Sequence, residues 1–301
     1  NAGATGKTGF SFGGLLHSPL ALPLIGLIVV SCLMGLASDN FFSLGNIMNV
    51  LRQVSVVGIL AVGMTFVILT GGIDLSVGAV MAISGATAAS LIVAGYPLAI
   101  VIPVALGVGL VCGLWNGFLV AVFDIQPIIA TLILMVAGRG IAQLITEGAI
   151  LTFNNDSFAT LGSGSFLGIP VPVLIWILAG LAVGLAVRST ALGFLIEATG
   201  INRRAAMLAG VKARFLLFSV YAVSGVCAAL AGLIATADIR GADANNAGLW
   251  LELDAILAVV ICGTSLNGGR FSIMTSLLGA LIIQSINTGI LMAGFPPEFN
   301  R

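Results

Sequence analysis

Asp74 is the single formal charge between Arg52 and Asp124, and it sits in the stretch GGIDLSVGAV, residues 71–80. An ionised carboxylate turned to lipid costs several kcal/mol. It must therefore lie near a membrane surface, pair with a cation, accept backbone N–H bonds at a helix start, or face water. The order Gly71, Gly72, Ile73, Asp74, Leu75, Ser76 predicts a chain break followed by a helix N-terminus, with Asp74 as cap and its charge favoured by the helix dipole. The same break can line a translocation path, with Gly71, Gly72, Asp74 and Ser76 near a gate; the two roles are compatible.

Other polar side chains sit in equally apolar surroundings. Asn116 beside Trp115, Gln143, and Gln284 with Asn287 place amides at membrane depth. Such amides serve either as interhelical hydrogen bonds between closely packed helices or as the lining of a path for a neutral polyol, which asks for hydrogen bonds and ring faces without strong charge. Arg139 lies inside the apolar run MVAGRGIAQ and has to find an acid, a carbonyl or water; Asp124 and Asp74 are its candidate acidic partners. No nucleophile–base pair or metal cluster stands near any face, so the chain shows no catalytic residue. NAGATGKT, residues 1–8, nearly spells a phosphate-binding loop, but Asn1 stands where that motif needs its first glycine and no strand precedes it. Cys32, Cys112, Cys227 and Cys262 each lie in apolar runs without C-x-x-C spacing, and His17 stands alone, which suggests neither a disulfide nor a metal role.

The elements that position these residues follow from composition. With 59% hydrophobic side chains, 7% charged ones, 40 Gly and a mean hydropathy of +1.20, the 301-residue chain reads as an integral membrane protein. Net charge is zero and the pI near 6.8, so the global balance points to no nucleic acid and no acidic ligand. A bilayer core needs roughly 20 apolar residues per helix. The apolar runs are 20–37, 53–70, 76–94, 98–122, 127–145, 170–187, 215–236, 254–266 and 273–293, nine segments of an all-α polytopic protein. Residues 1–19 read as a flexible tail and 20–301 as one transmembrane domain.

Residues 188–214 carry Arg188, Arg203, Arg204, Lys212 and Arg214 against Glu197 alone, so this loop is expected on the cytoplasmic side. Alternation then puts the N-terminus, 123–126 and 267–272 inside, and the acid-rich loops 146–169 and 237–253 outside. Arg52 and Arg139 fit less neatly. Within the basic loop, Asn202 can cap a short helix through Leu208, and Gly210 can end it. A short basic helix beside a membrane can lie on anionic lipid or dock a cytoplasmic partner. Residues 68–86 and 260–280 also echo one another: each runs apolar, breaks at a Gly-rich polar patch and resumes as an apolar helix ending Gly-Ala. Interrupted hydrophobic segments at matching places in two halves point to a substrate path.

AVGMTFVILTGGIDLSVGAVMAISGATAAS, QPIIATLILMVAGRGIAQLIT, RGADANNAGLWLELDAILAVVICGTSLNGGRF and GALIIQSINTGILMAGFPPEFN together resemble the membrane permease of bacterial ABC sugar importers of the ribose type, with the galactofuranose branch nearest. The likeness runs from about residue 41 to 300. It implies about ten helices in a fold related to vitamin B12-type permeases, with Gly-rich broken or re-entrant segments. It also implies an inner-membrane location, and pairing with a second permease chain as homodimer or heterodimer. A periplasmic sugar-binding protein would deliver a monosaccharide, and a cytoplasmic tandem-domain ATPase would bind the ATP and Mg that this chain does not. The family's ATPase-contacting loop maps onto Asn202 to Gly210, through Arg203, Arg204, Ala205, Ala206 and Leu208, with Glu197 just before it. Cys262 stands where relatives usually carry Gly, and a further helix is expected beyond residue 300. The mechanism implied is alternating access, driven by nucleotide binding on the partner, without chemistry in this chain. The rival reading is an ion-coupled secondary transporter with Asp74 or Arg139 as coupling site.

Overall fold

The computed structural model describes residues 20–261, 263–266, 268, 273–292 and 294. The N-terminal stretch with its near-phosphate-loop and His17, Cys262, and the end beyond Gly294 lie outside the described residues. The helices are α1 Ala21–Ala37, α2 Leu44–Leu69, α3 Val77–Val93, α4 Leu98–Ala121, α5 Pro127–Ile145, α6 Asp156–Ser163, α7 Val171–Ser189, α8 Leu192–Ile201, α9 Arg203–Leu208, α10 Ala213–Ile239, α11 Leu251–Val260 and α12 Ile273–Met292. Among the described residues, six of these (α2, α4, α5, α7, α10 and α12) are long and apolar enough to cross a membrane, and α1, α3 and α8 are shorter apolar helices.

Helix α2 is the axis of the bundle. It starts nine residues before the expected segment, because Ser43 Oγ accepts from the Asn46 N–H at 3.3 Å and caps it. The polar turn that hid this start is met by side chains and backbone from distant helices: Gln53 accepts from Gln284 of α12, and Arg52 reaches the Ser163 carbonyl. From Val57 to Leu69 α2 is buried on all sides, against α7, α10, α11 and α12. Two glycines let neighbours in. Gly58 receives the ring of Trp176 from α7, and a Cβ at Gly63 would stand 2.9 Å from Ser224 Cα in α10.

Helices α4 and α10 pack antiparallel through Gly109, Gly113 and Gly117, one turn apart, which meet Gly225, Tyr221 and Phe218. Without a hydrophobic drive between helices in lipid, van der Waals contact from such close backbones supplies the attraction.

The connections collect at two ends. At one end Asp124 pairs with Arg203 at 3.0 Å, and Gly200 and Gly268 both lie against the Leu69 carbonyl at the end of α2. At the other, strand β1 (Leu151–Thr152) pairs antiparallel with β4 (Gly241–Ala242), Arg240 pairs with Asp156 at 3.0 Å, and Gly162 of α6 abuts the Asp238 backbone. A small hairpin, β2 Ser165–Phe166 with β3 Ile169–Pro170, leads into α7. Among the described residues 123–126 and 188–214 meet at one end and 146–169 and 237–253 at the other, the same pairs of loops that the charge pattern put together. The second of these ends is more ordered than loops 146–169 and 237–253 led one to expect, since α6 and both strand pairs lie in or beside them.

Candidate functional site

The GGIDLS stretch forms the expected break between α2 and α3. Gly71 takes φ +74°, its N–H donates to Ile68 O at 2.9 Å, and the Gly72 N–H donates to Val67 O at 3.0 Å. This reversal closes α2 and needs a residue tolerant of left-handed backbone. Gly72 is required for space as well, since a Cβ there would stand 2.8 Å from Tyr221 Oη.

Asp74 is 2% exposed and meets no cation among the described residues. Its Oδ1 accepts from the Ser76 N–H at 3.0 Å and the Ser76 hydroxyl at 2.6 Å, and its Oδ2 accepts from the Ser224 hydroxyl of α10 at 2.7 Å. Asn116 of α4 donates to Ser76 Oγ at 2.8 Å. Thr131 of α5 accepts from the Leu75 N–H at 3.1 Å and donates to the Pro127 carbonyl at 2.9 Å. The regular helix begins at Val77 with Ser76 in the cap position. Asp74 performs the capping two residues earlier, because Ser76 already has helical backbone. The break is thus held by side chains from α4, α5 and α10, buried in protein as membrane-depth irregular backbone must be.

The other amides find protein partners too. Gln284 donates to Gln53 and lies 3.4 Å from Thr288 Oγ1, and Asn287 hydrogen-bonds the Asp254 carboxylate of α11. Arg139 pairs with neither Asp74 nor Asp124. Asp124 is taken by Arg203, and Asp74 is enclosed by hydroxyls. Instead Arg139 Nη1 donates to the carbonyls of Ala244 (3.1 Å) and Ala247, in the loop between α10 and α11. Gln143, one turn on, donates to Asn245 Oδ1 at 2.8 Å, and Asn245 Nδ2 donates to Gly148 O at 3.2 Å. In the same loop Asp243 Oδ1 accepts the N–H groups of Asn245 and Asn246, and Oδ2 accepts the Asn246 side-chain amide at 2.8 Å. These bonds, the Asn246 amide first, hold the Asp243 carboxyl below the usual carboxylate range.

Asn202 caps α9 as its sequence position suggested, with Oδ1 accepting the Ala205 N–H at 2.9 Å. Gly210 (φ +88°) closes it through Gly210 N–H to Met207 O and Val211 N–H to Ala206 O. Ala206 faces inward, whereas Arg204, Ala205, Met207 and Leu208 are exposed, Leu208 at 84%. Glu197 lies on α8 leading into this helix.

Sequence reasoning passed over Ser224, Tyr221, Thr131 and Glu252. Ser224 and Thr131 carry no local signal, since their roles come from packing of distant helices. Glu252 could have been noticed as an acid opening an apolar helix.

A helical bundle of this length and apolarity, with its polar side chains turned onto one another at depth, is a multi-pass membrane protein. Residues 46–301 match the family model described as branched-chain amino acid transport system / permease component, and the chain belongs to this family. The galactofuranose transporter permease protein of Escherichia coli strain K12 is 56% identical over 292 residues, covering 94% of this chain and 86% of that one. The ribose import permease protein of Haemophilus influenzae is 44% identical (88% and 83% covered), and the fructose import permease protein of Bifidobacterium longum 41% (94% and 84%). No solved structure matches the chain. The chain is a transport permease subunit, not an enzyme.

Proposed function

We propose that this chain is the transmembrane permease subunit of an ATP-driven ABC importer that carries a monosaccharide, galactofuranose or a related sugar, across the bacterial inner membrane. Residues 20–301 act as one membrane unit with the N-terminus in the cytoplasm and a fold of the vitamin B12-permease type. The unit pairs with a second permease chain, receives sugar from a periplasmic binding protein, and is driven by a tandem-domain cytoplasmic ATPase that binds ATP and Mg. The observation that carries this reading is α9: a short helix fixed at both ends by Asn202 and Gly210, presenting Arg204 and Leu208 away from the bundle. Anchored to Asp124 through Arg203, it transmits force to the α4–α5 connection. The helices on either side of that connection bond the break at Gly71, Gly72, Asp74 and Ser76, α4 through Asn116 and α5 through Thr131. Asn116, Arg139, Gln143, Gln284 and Asn287 supply the uncharged or internally paired polar groups along which a sugar passes. ATP binding draws two such helices together and opens the path outward; hydrolysis resets it.

The test is reconstitution. Sugar uptake into vesicles should require the ATPase, and Arg204→Glu should abolish ATPase co-purification while leaving the chain in the membrane. Uptake that follows an ion gradient in vesicles lacking the ATPase would establish the secondary transporter instead.

A further inference from the structure

The loop from Gly241 to Trp250 is tied to the bundle at several points. Arg139 holds the Ala244 and Ala247 carbonyls, Gln143 and Gly148 hold Asn245, and β4 pairs with β1. At its far end Gly248 (φ +73°) packs backbone to backbone on Gly78, at the start of α3 and four residues beyond Asp74. Loop and break are therefore in direct contact. The loop also presents Asn245, Asn246 and Trp250 outward, two amides and an indole.

Just after this contact stands Glu252. It is 8% exposed, and its Oε2 is buried without a hydrogen-bond partner among the described residues, tucked 2.6 Å from where a Gly78 Cβ would lie. A buried carboxylate oxygen left without a donor is uncommon and asks for a reason. The Glu252 carboxylate also meets the backbone of Glu252 and Trp250, and Arg139 is close by: Arg139 holds the Ala247 carbonyl, and the next residue, Gly248, packs on the same Gly78 that Glu252 Oε2 lies against. Arg139 thus holds two loop carbonyls, and a further acceptor that it does not hold, Glu252, lies on the far side of the Gly248–Gly78 contact. A cation with a second acceptor near the first is the kind of element that can switch between two states.

We propose that the Gly241–Trp250 loop is the outer gate of the sugar path, and that Arg139 is its positioning residue: it holds the loop carbonyls when the gate is closed and transfers to Glu252 when the gate opens. With Arg139 transferred, Gln143–Asn245 is the remaining side-chain tie from α5 to the loop among the described residues, and once it parts the Asn245 and Trp250 side chains can meet the sugar's hydroxyls and ring face. This rests on the importer reading above and adds to it the residues that switch.

The closing experiment uses the whole complex, with ATPase and binding protein, in vesicles. Native cysteines are replaced, and Gln143→Cys with Asn245→Cys are joined by oxidation or a short bifunctional thiol reagent. Crosslinking should be efficient at rest and fall at least about fivefold when vanadate traps nucleotide. Equal yields in the two states, or no crosslink at rest, overturn the gate. Adding Glu252→Gln should keep the yield high in both states and cut uptake about tenfold, within the range of known coupling effects, while ATP hydrolysis persists. A yield that still falls in the Glu252→Gln protein overturns the transfer of Arg139. Failure of the importer reading shows separately, as a cysteine-free complex that hydrolyses ATP and takes up no sugar.

Discussion

Replacing Asp74 by Asn and by Leu separates two reasons for the carboxylate. Both substitutions remove the charge and its desolvation, so the difference between them isolates the acceptor. Asn keeps an oxygen for the Ser76 N–H and hydroxyl, and its amide can donate to Ser224 Oγ, whose proton can turn to a carbonyl of its own helix. Leu strands three donors, of which the Ser76 N–H cannot rotate. At about 1–3 kcal/mol for each buried group left unpaired, and allowing the hydroxyls partial relief, Asp74→Leu should be less stable than Asp74→Asn by roughly 2–5 kcal/mol. That is a large share of a typical stability of about 5–15 kcal/mol. Purified in detergent, Asp74→Asn should melt close to the parent and retain much of its transport. Asp74→Leu should melt roughly 5–15 °C lower or fail to accumulate. Equal losses in the two variants would refute the reasoning, because the charge and not the acceptor would then be the requirement.

Three more outcomes can be checked. Gly200→Ala would drive a Cβ into the Leu69 carbonyl oxygen, where only backbone could yield, and should abolish accumulation of folded protein; Gly140→Ala, with open space around it, should not, and a membrane-fraction blot reads both. Asp124→Asn should change the melting temperature little, because the Asp124 side chain is 64% exposed and ion pairs with a solvent-exposed partner contribute about 0–1 kcal/mol. Asp243 has a lowered folded value, so its contribution is present above the ordinary carboxylate range and is lost as pH falls through that lower value. Protection factors for hydrogen exchange in 243–248, corrected for the intrinsic pH dependence of amide exchange, should therefore be flat from neutral pH into mild acid and fall only below it.

What could be read in the sequence was what local chemistry dictates. The break at 70–76 follows from two glycines and an acid in an apolar run, and α9 follows from Asn202 and Gly210 flanking a short apolar–basic stretch. The start of α2 was not legible, because Asn46, Asn49, Arg52 and Gln53 look like a surface loop until Gln284 and Ser163 arrive from elsewhere. Arg139 shows the same limit. Its position announced that it needed a partner, yet loop backbone more than a hundred residues away has no sequence signature. The Asp74 network likewise depends on Ser224, 150 residues distant, whose hydroxyl differs in no local respect from the other serines of apolar helices.

The meshing of Gly109, Gly113 and Gly117 with α10 leaves no slack, since any side chain added to Gly109 or Gly113 would strike main chain. A joint so tight neither slides nor tilts without separating, so α4 and α10 travel as one stave through every step of the cycle. Motion has to be found in the parts bolted around them, and probes placed on those two helices should report a constant separation while the rest of the molecule rearranges.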